Sequence, residues 1–258
     1  MKTLILGISV SLGFTQNPFE LDSTLTSVLP QSIANSIEIA DVDNDGTQDI
    51  ILTGYDSTRF GVFLDVINGN SDGTISLGSQ LRIITYTDTI ANQIGGIGGI
   101  DLADVNQDGF IDAYLTGSAQ SNLYYNTNGE FLESSNLESM VLSYSDGKWG
   151  DVNMDGAPDL FIMGTDNFND VIINELYINN GSKLDEDKTT IFPALFNGSS
   201  AWGDYDNDGD PDLIICGQTA DKTASVSRFY QNDPIGRLTE LTTADEVGGL
   251  KAGAFLFT

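Results

Sequence analysis

The 258-residue chain contains no histidine and only one cysteine, and both shortages exclude functions. Without histidine it can form neither a Ser-His-Asp nor a Cys-His catalytic site, and it offers zinc or iron no imidazole ligand. The single cysteine, Cys216, cannot form an internal disulfide. Because Cys216 lies in the apolar run 213–216, a small buried side chain is the favoured interpretation and a reactive thiol the alternative.

Basic residues are also scarce, with 10 Lys and Arg against 38 Asp and Glu, which gives a net charge of −28. Phosphate groups attract Lys and Arg, so neither nucleic acid nor an anionic membrane is an expected partner. Such a chain attracts cations instead, and its carboxylates repel one another unless counter-ions lie among them. Because 40% of the residues are hydrophobic, we expect a folded core and not a disordered acidic tail.

The N-terminal segment 1–16 has one Lys, then about eleven mostly apolar residues, then small and polar ones. This is the outline of a secretory signal peptide, and it is shorter than the roughly 20 apolar residues of a membrane-spanning helix. The alternative is an N-terminal β-strand. We expect a protein that is secreted or on the cell surface, extracellular or periplasmic, with no transmembrane segment and with 17–258 as its mature chain.

One motif, D-x-[DN]-x-D-G-x-x-D followed by an apolar run and a Gly, occurs four times. The copies begin 63, 47 and 53 residues apart and define Asp loops 1 to 4, each with positions 1 to 9. The loops span 41–49, 104–112, 151–159 and 204–212.

The segments around the Asp loops repeat more loosely. A short strand is predicted before each loop, at 37–40, 99–103, 148–150 and 200–203. After each loop come β-branched or aromatic runs that end in Asn at 68, 126, 179 and 232. Such runs, separated by Asn and Gly, are typical of strands and hairpins. A period near fifty residues therefore predicts four-stranded units, which cover about 35–94, 95–145, 146–198 and 199–247.

Each Asp loop has the chemistry of a calcium site, because calcium takes six to eight oxygen ligands. Positions 1, 3, 5 and 9 supply side-chain oxygens, Gly at position 6 allows a sharp bend, and position 7 offers a backbone carbonyl. Magnesium prefers fewer carboxylates, and zinc and copper prefer Cys or His. The predicted ligands of up to four Ca²⁺ ions are Asp41, Asp43, Asp45, Thr47, Asp49, Asp104, Asn106, Asp108, Phe110, Asp112, Asp151, Asn153, Asp155, Ala157, Asp159, Asp204, Asp206, Asp208, Asp210 and Asp212.

An Asx-type turn without metal is the alternative interpretation of one such loop. Four copies, with Asp or Asn at all sixteen side-chain ligand positions, favour metal binding. Asn106 and Asn153 leave loops 2 and 3 with three ligand carboxylates each, so tighter binding is expected in loops 1 and 4. An EF-hand is excluded because an apolar strand, not a helix, begins at position 9.

Trp149 and Trp202 occupy one repeat position, and Ile39 and Leu102 fill it in the other units. A position that is always large and apolar is more typical of a core than of a ligand-binding aromatic. We therefore predict that both tryptophans pack in the core.

The segment 201–217 and its three relatives resemble FG-GAP or VCBS-type repeats, the blades of integrin-α-like β-propellers. The resemblance covers about 17–257. It implies an all-β propeller of four-stranded antiparallel blades, in which calcium binds between the first and second strands. Such propellers usually have about seven blades, whereas this chain has about four and a half. The partial strands 17–34 and 248–258 either share one closing blade or belong to a longer parent protein with further blades or domains.

The resemblance also implies a non-enzymatic extracellular module for recognition or adhesion, with a protein or carbohydrate ligand. The alternative is an accessory or catalytic propeller of a secreted polysaccharide-degrading enzyme. That function needs an acid or base with a shifted pKa beside a Lys or Arg, and the ten basic residues neither repeat nor cluster. No catalytic residue is therefore assigned. A rigid calcium-dependent spacer ranks last, because Asp-rich spacer repeats lack long apolar strands between their loops.

Overall fold

The structure is a computed structural model that describes residues 33–56, 61–85, 97–117, 120–166, 168–233 and 235–241. It also describes a short antiparallel pair, β1 (Ile8–Ser9) with β2 (Glu20–Leu21). The rest of the predicted signal segment, and almost all of the two predicted partial strands, lie outside these residues.

Sixteen further strands form four antiparallel sheets of four strands each, which we call blades 1 to 4. Within each blade the strands lie side by side in chain order. Blade 1 contains β3 (Ile33–Ala40), β4 (Asp49–Asp56), β5 (Gly61–Gly69) and β6 (Ile75–Thr85). Blade 2 contains β7 (Ile97–Ala103), β8 (Asp112–Gly117), β9 (Asn122–Thr127) and β10 (Glu130–Glu133). Blade 3 contains β11 (Leu142–Gly150), β12 (Asp159–Asp166), β13 (Val171–Asn179) and β14 (Leu184–Glu186), and blade 4 contains β15 (Leu195–Gly203), β16 (Asp212–Thr219), β17 (Ser225–Gln231) and β18 (Thr239–Leu241).

The second strand of each blade is the most buried, because neighbouring strands flank it and both of its faces are covered. In β12 the run Leu160, Phe161, Ile162 and Met163 is 0% exposed. A short continuous apolar run with no alternation is typical of a strand that is buried on both faces. These strands are the apolar runs that follow the Asp loops in the sequence.

The core lies between successive blades. One apolar cluster joins blades 1 and 2 and includes Ile51, Leu64 and Leu115. A second cluster joins blades 2 and 3, and a third joins blades 3 and 4. The first strands β3, β7, β11 and β15 lie in a row, each beside the next. Among the described residues there is no helix and no sheet closed on itself, so the fold is four consecutive blades of a β-propeller type.

The first strands begin two to six residues earlier than the sequence predicted. Each contains a register shift against the second strand; in β11 the shift falls between Ser143 and Asp146, and in β15 between Phe196 and Ser199. Tyr144 and Asn197, at these two bulges, have positive φ angles of 51° and 52°. A bulge breaks the two-residue alternation, which is why the pattern predicted only the second half of each strand.

No helix in the described part of the chain has the length and apolar character needed to cross a membrane.

Candidate metal centre

Each Asp loop connects the first strand of its blade to the second, as predicted. Consecutive loops also touch. The side-chain amide of Asn44 in loop 1 donates to the Gly109 carbonyl of loop 2 at 2.8 Å, and Gln107 of loop 2 donates to Gly156 of loop 3 at 2.7 Å. Loops 1 to 3 therefore form one hydrogen-bonded row.

Two left-handed residues give every loop its sharp bend. At position 6, Gly has φ angles from 88° to 101° in the four loops, a region where a Cβ is strained. At position 4, the non-glycine residues also have positive φ, between 55° and 59°. The sequence pattern predicted the glycine but not the second left-handed residue. The position-4 residues are Asn44, Gln107, Met154 and Asn207.

The Asp at position 1 turns its carboxylate into the loop. In loop 1, Oδ1 of Asp41 accepts the N–H of Asp45 at 3.1 Å, and Oδ2 accepts the N–H of Gly46 at 2.9 Å. The other three loops repeat this pair of bonds at 2.9–3.1 Å. The loops therefore do contain Asx-type bonds. Because a carboxylate offers about four lone-pair sites, these bonds leave capacity for a metal ion.

The Asp at position 9 is fully buried in each loop, with 0% exposure in all four. Its Oδ2 accepts the N–H of position 2, and its Oδ1 accepts an N–H at the end of the third strand, at 2.7–3.0 Å. Burial outweighs these bonds and raises the pKa of all four carboxyls, to about 6 for two of them, Asp112 and Asp159. A bound cation would favour the ionised form. The four residues are Asp49, Asp112, Asp159 and Asp212.

Two loops bring three carboxylates together at a spacing that suits calcium. Oxygen atoms of Asp41, Asp43 and Asp49 lie within 4.8 Å of one another, and so do oxygens of the residues at positions 1, 3 and 5 of loop 4. Calcium–oxygen distances of about 2.3–2.6 Å place opposite ligands about 5 Å apart, so both groups could surround one ion. The loop 4 group is Asp204, Asp206 and Asp208.

Among the described residues, the remaining predicted ligands do not belong to such a group of three carboxylates. The Oδ1 of Asp45 accepts both the N–H and the hydroxyl of Thr47, at 2.8 and 2.6 Å. In loop 2 the amide of Asn106 donates to Oδ2 of Asp108 at 3.0 Å. The acidic clusters could therefore bind a metal ion, with loops 1 and 4 offering the densest groups of carboxylates.

A family model described as the FG-GAP-like repeat matches residues 104–162 and 151–215. Residues 104–215 therefore match FG-GAP-like repeats. The two matches begin at loops 2 and 3, and together they include the loops of blades 2, 3 and 4. A search of curated proteins found no match. The resemblance that the sequence predicted is thus confirmed.

Beyond the predicted ligands, the FG-GAP-like blades share a buried asparagine at the end of the third strand. Its backbone N–H donates to the position-9 Asp of its own blade. Its side-chain amide donates to the position-2 carbonyl in the preceding blade, at 2.7–2.8 Å. The N–H of that same position-2 residue donates to the position-9 Asp of the preceding blade. We call these residues the relay asparagines: Asn126, Asn179 and Asn232.

The relay asparagines link the position-9 carboxylates of all four loops into one buried chain of hydrogen bonds. This series of hydrogen bonds ends in blade 1, where Gly69 occupies the position of the asparagine and has no side chain to reach another blade. A Cβ on Gly69 would lie 2.3 Å from the Gln48 carbonyl oxygen, which excludes any larger residue. The Asn that ends each aromatic run was a visible sequence signal, but in blade 1 it indicated Asn68, one position too early.

The two tryptophans also join blades: each is partly buried and packs against an apolar cluster, whereas Ile39, at the same repeat position, is 47% exposed, so the prediction of a core position holds only in part. The indole N–H of Trp149 donates to the Asp101 carbonyl at 3.3 Å, and that of Trp202 donates to the Lys148 carbonyl at 3.1 Å. The Trp202 ring covers Gly150 so closely that a Cβ there would lie 2.6 Å from it. Cys216 is 0% exposed, which confirms the interpretation as a small buried side chain.

Proposed function

We propose that these FG-GAP-like blades form a calcium-binding, non-enzymatic recognition or adhesion module of a secreted or cell-surface protein. The observation that carries the proposal is the convergence of three carboxylates in loop 1 and again in loop 4. Acidic oxygens at this spacing repel one another unless a cation lies among them. Calcium is the cation whose coordination number and ligand preference suit such loops.

Calcium would act by stiffening the connection between the first two strands of each blade. The position-9 Asp begins the second strand, and through the relay asparagines it is bonded to the neighbouring blade. An ion at the loop would therefore hold both the turn and the contact between blades. A stiffened row of blades could present a constant surface to a protein or carbohydrate ligand.

Exposed aromatic side chains lie at the end of blade 3 opposite its Asp loop, and they could form such a surface. Tyr144 lies near the start of β11, is 64% exposed and contacts Phe196 edge-to-face with ring centroids 6.1 Å apart. Phe168, in the turn between β12 and β13, is 81% exposed. Apolar rings in solvent at a strained backbone position such as that of Tyr144 are typical of binding surfaces.

The contacts of Lys148 favour a structural over a catalytic role for this lysine. Its ammonium lies 2.9 Å from Asp101 Oδ1, while Asp101 Oδ2 accepts the N–H of Trp149 at 2.8 Å. Although burial lowers the pKa of Lys148, attraction to Asp101 and Asp146 raises it overall. A catalytic lysine base needs a lowered pKa, so this ion pair is better suited to joining blades 2 and 3. Burial also raises the pKa of Asp101 and of Glu38 beside this lysine, which keeps the polysaccharide-degrading function as the second candidate.

Thermal unfolding of the purified protein in EGTA, in millimolar calcium and in millimolar magnesium tests the proposal. Calcium affinities of extracellular modules are about 10⁻⁴–10⁻³ M, so millimolar calcium should raise the midpoint above that in EGTA. Magnesium should raise it less, because it retains more water and demands stricter geometry. Equal midpoints in EGTA and calcium would contradict calcium binding.

A further inference from the structure

Loop 4 differs from the other three loops at position 7, where it has an acidic side chain. The other loops have Thr47, Phe110 and Ala157 at this position, whereas loop 4 has Asp210. Asp210 is 1% exposed, and neither of its carboxylate oxygens has a hydrogen-bond partner. A buried carboxylate without a donor is costly, so its surroundings call for an explanation.

The surroundings of the Asp210 carboxylate are acidic. The charged groups that act most strongly on it are the carboxylates of Asp208, Asp212 and Asp206. Two of these belong to the group of three whose oxygens lie within 4.8 Å of one another. Ionised carboxylates can only accept hydrogen bonds, so these neighbours offer an ionised Asp210 no donor, and only a protonated Asp210 could share its proton with Asp208.

Loop 1 shows what a satisfied residue at position 7 does. The hydroxyl of Thr47 lies 2.6 Å from Asp45 Oδ1 and 2.9 Å from the carbonyl oxygen of Gly69, at the end of the third strand, so its one proton can be donated to either acceptor. An ionised Asp cannot make this bond, because it has no proton to donate. At position 7, loop 1 thus has a hydroxyl that donates a hydrogen bond, whereas loop 4 has the carboxylate of Asp210, which when ionised can only accept one.

We propose that the side chain of Asp210, and not only its backbone carbonyl, binds the cation of loop 4. The inference rests on the proposed calcium function and deepens it. Loop 4 then contributes five carboxylates to one site, while loop 1 contributes four and loops 2 and 3 three each. Calcium sites are tuned by the number of charged ligands, so loop 4 becomes the tightest of the four.

The variant Asp210→Ala tests this inference, because Ala157 already occupies the same position in loop 3. In EGTA the variant should unfold at a higher temperature than the wild type, since a buried unpartnered carboxylate has been removed. In calcium this advantage should vanish or reverse, so the rise in midpoint caused by calcium becomes smaller. Calcium titration by calorimetry should show the tightest site weakened by about tenfold or more.

The control variant is Thr47→Ala, which removes the position-7 side chain from loop 1. This change keeps every carboxylate and the backbone carbonyl of position 7 but removes the hydroxyl contacts of Thr47 with Asp45 and Gly69, so it should lower the midpoint and should reduce the calcium-induced rise less than Asp210→Ala does. A calcium-induced rise in Asp210→Ala equal to that of the wild type would overturn the inference while leaving the calcium function intact. A wild-type midpoint that calcium does not change would overturn both this inference and the proposed calcium function.

Asp210→Asn provides a second test in case Asp210→Ala does not fold. It preserves the shape of the side chain and removes its charge, so it should likewise weaken the tightest site. Unchanged calcium affinity in Asp210→Asn would contradict a role for the carboxylate in binding the ion.

Discussion

At the scale of single residues, the ninth position of each Asp loop is both a core residue and a candidate metal ligand. Asp112 and Asp159 are fully buried, and each accepts two backbone N–H groups. Their pKa is nevertheless raised from 3.8 to about 6, because desolvation by burial outweighs the hydrogen bonds. The folded, metal-free protein therefore holds protons on these groups at pH values where the unfolded chain has released them.

This difference predicts how the stability of the metal-free protein depends on pH. Groups whose pKa is raised by folding stabilise the fold below their unfolded pKa, and the contribution is lost as pH rises through about 6. The free energy of unfolding should thus fall between about pH 4 and pH 6, and saturating calcium should reduce the fall. Urea denaturation at a series of pH values measures it. Stability that rises with pH over this interval without metal would contradict the assignment.

Position 4 of the Asp loops allows a reciprocal pair of substitutions. Gln107 reaches the Gly156 carbonyl of the next loop, whereas Met154, in the same left-handed conformation, has no donor for Gly209. Met154→Gln should supply that bond and stabilise the protein by up to about 1 kcal/mol, and Gln107→Met should cost a similar amount. Urea denaturation of both variants provides the comparison. Two unchanged midpoints would show that the row of bonds between loops adds nothing to stability.

Single residues also show the limits of sequence reasoning. The spacing of the Asp residues predicted the loops and their candidate ligands, because the ligand pattern is local in the sequence. The burial of Asp210 depends on where the third strand ends, and a nine-residue motif does not contain that information. Position 7 was therefore predicted to use its main chain alone.

At the scale of elements, the relay asparagines connect each blade to the one before it. The amide of Asn179 donates to the Val105 carbonyl, and its oxygen accepts the N–H of Gly181 at 2.9 Å. Asn179→Ala leaves both groups without their partner, one of them buried, so it should destabilise the protein by about 1–3 kcal/mol. The neighbouring Asn180→Ala, an exposed residue with local bonds, is the matched control and should change stability by less than about 0.5 kcal/mol. Equal effects of the two variants in urea denaturation would contradict the relay.

The first strands show why some elements were predicted only in part. The bulge in β11 lies just before Asp146, whose Oδ2 accepts the N–H and hydroxyl of Ser200 in the next blade, at 2.6 and 2.8 Å. A bulge changes the direction of a side chain, and here it turns Asp146 towards Ser200 of the neighbouring blade. Its position is decided by packing between blades, so local alternation placed the start of the predicted strand at 148 and not at Leu142. The second strands were predicted well, because burial on both faces leaves a continuous apolar run.

At the scale of the whole molecule, each blade packs mainly on its neighbours, and one apolar cluster fills each of the three gaps between blades. Repeats organised in this way derive stability from each unit and from the interfaces between units. Four repeated motifs were enough to predict four blades, since each motif opens a second strand. The contacts between blades, through Trp149, Trp202 and the relay asparagines, could not be read from the motif.

The net charge of −28 predicts a dependence on salt. Without calcium, carboxylates in and around the loops repel one another, and added sodium chloride should raise the unfolding midpoint by screening them. With four Ca²⁺ bound, the net charge becomes −20, the sum of −28 and +8, and the most crowded carboxylates are neutralised. The salt-induced rise should therefore be smaller in calcium than in EGTA. A salt effect of the same size in both would contradict this account of the charge.

The central claim is that each of the four Asp loops holds one calcium ion, and counting bound ions tests it most directly. Native mass spectrometry of the purified protein, exchanged into millimolar calcium and then into millimolar magnesium, reports the number of each ion per chain. We predict four calcium ions per chain, fewer magnesium ions, and one calcium ion fewer in a variant whose loop 4 carries Asp204→Ala and Asp208→Ala. A chain that binds no calcium, or binds both metals equally without regard to these two substitutions, would contradict the claim.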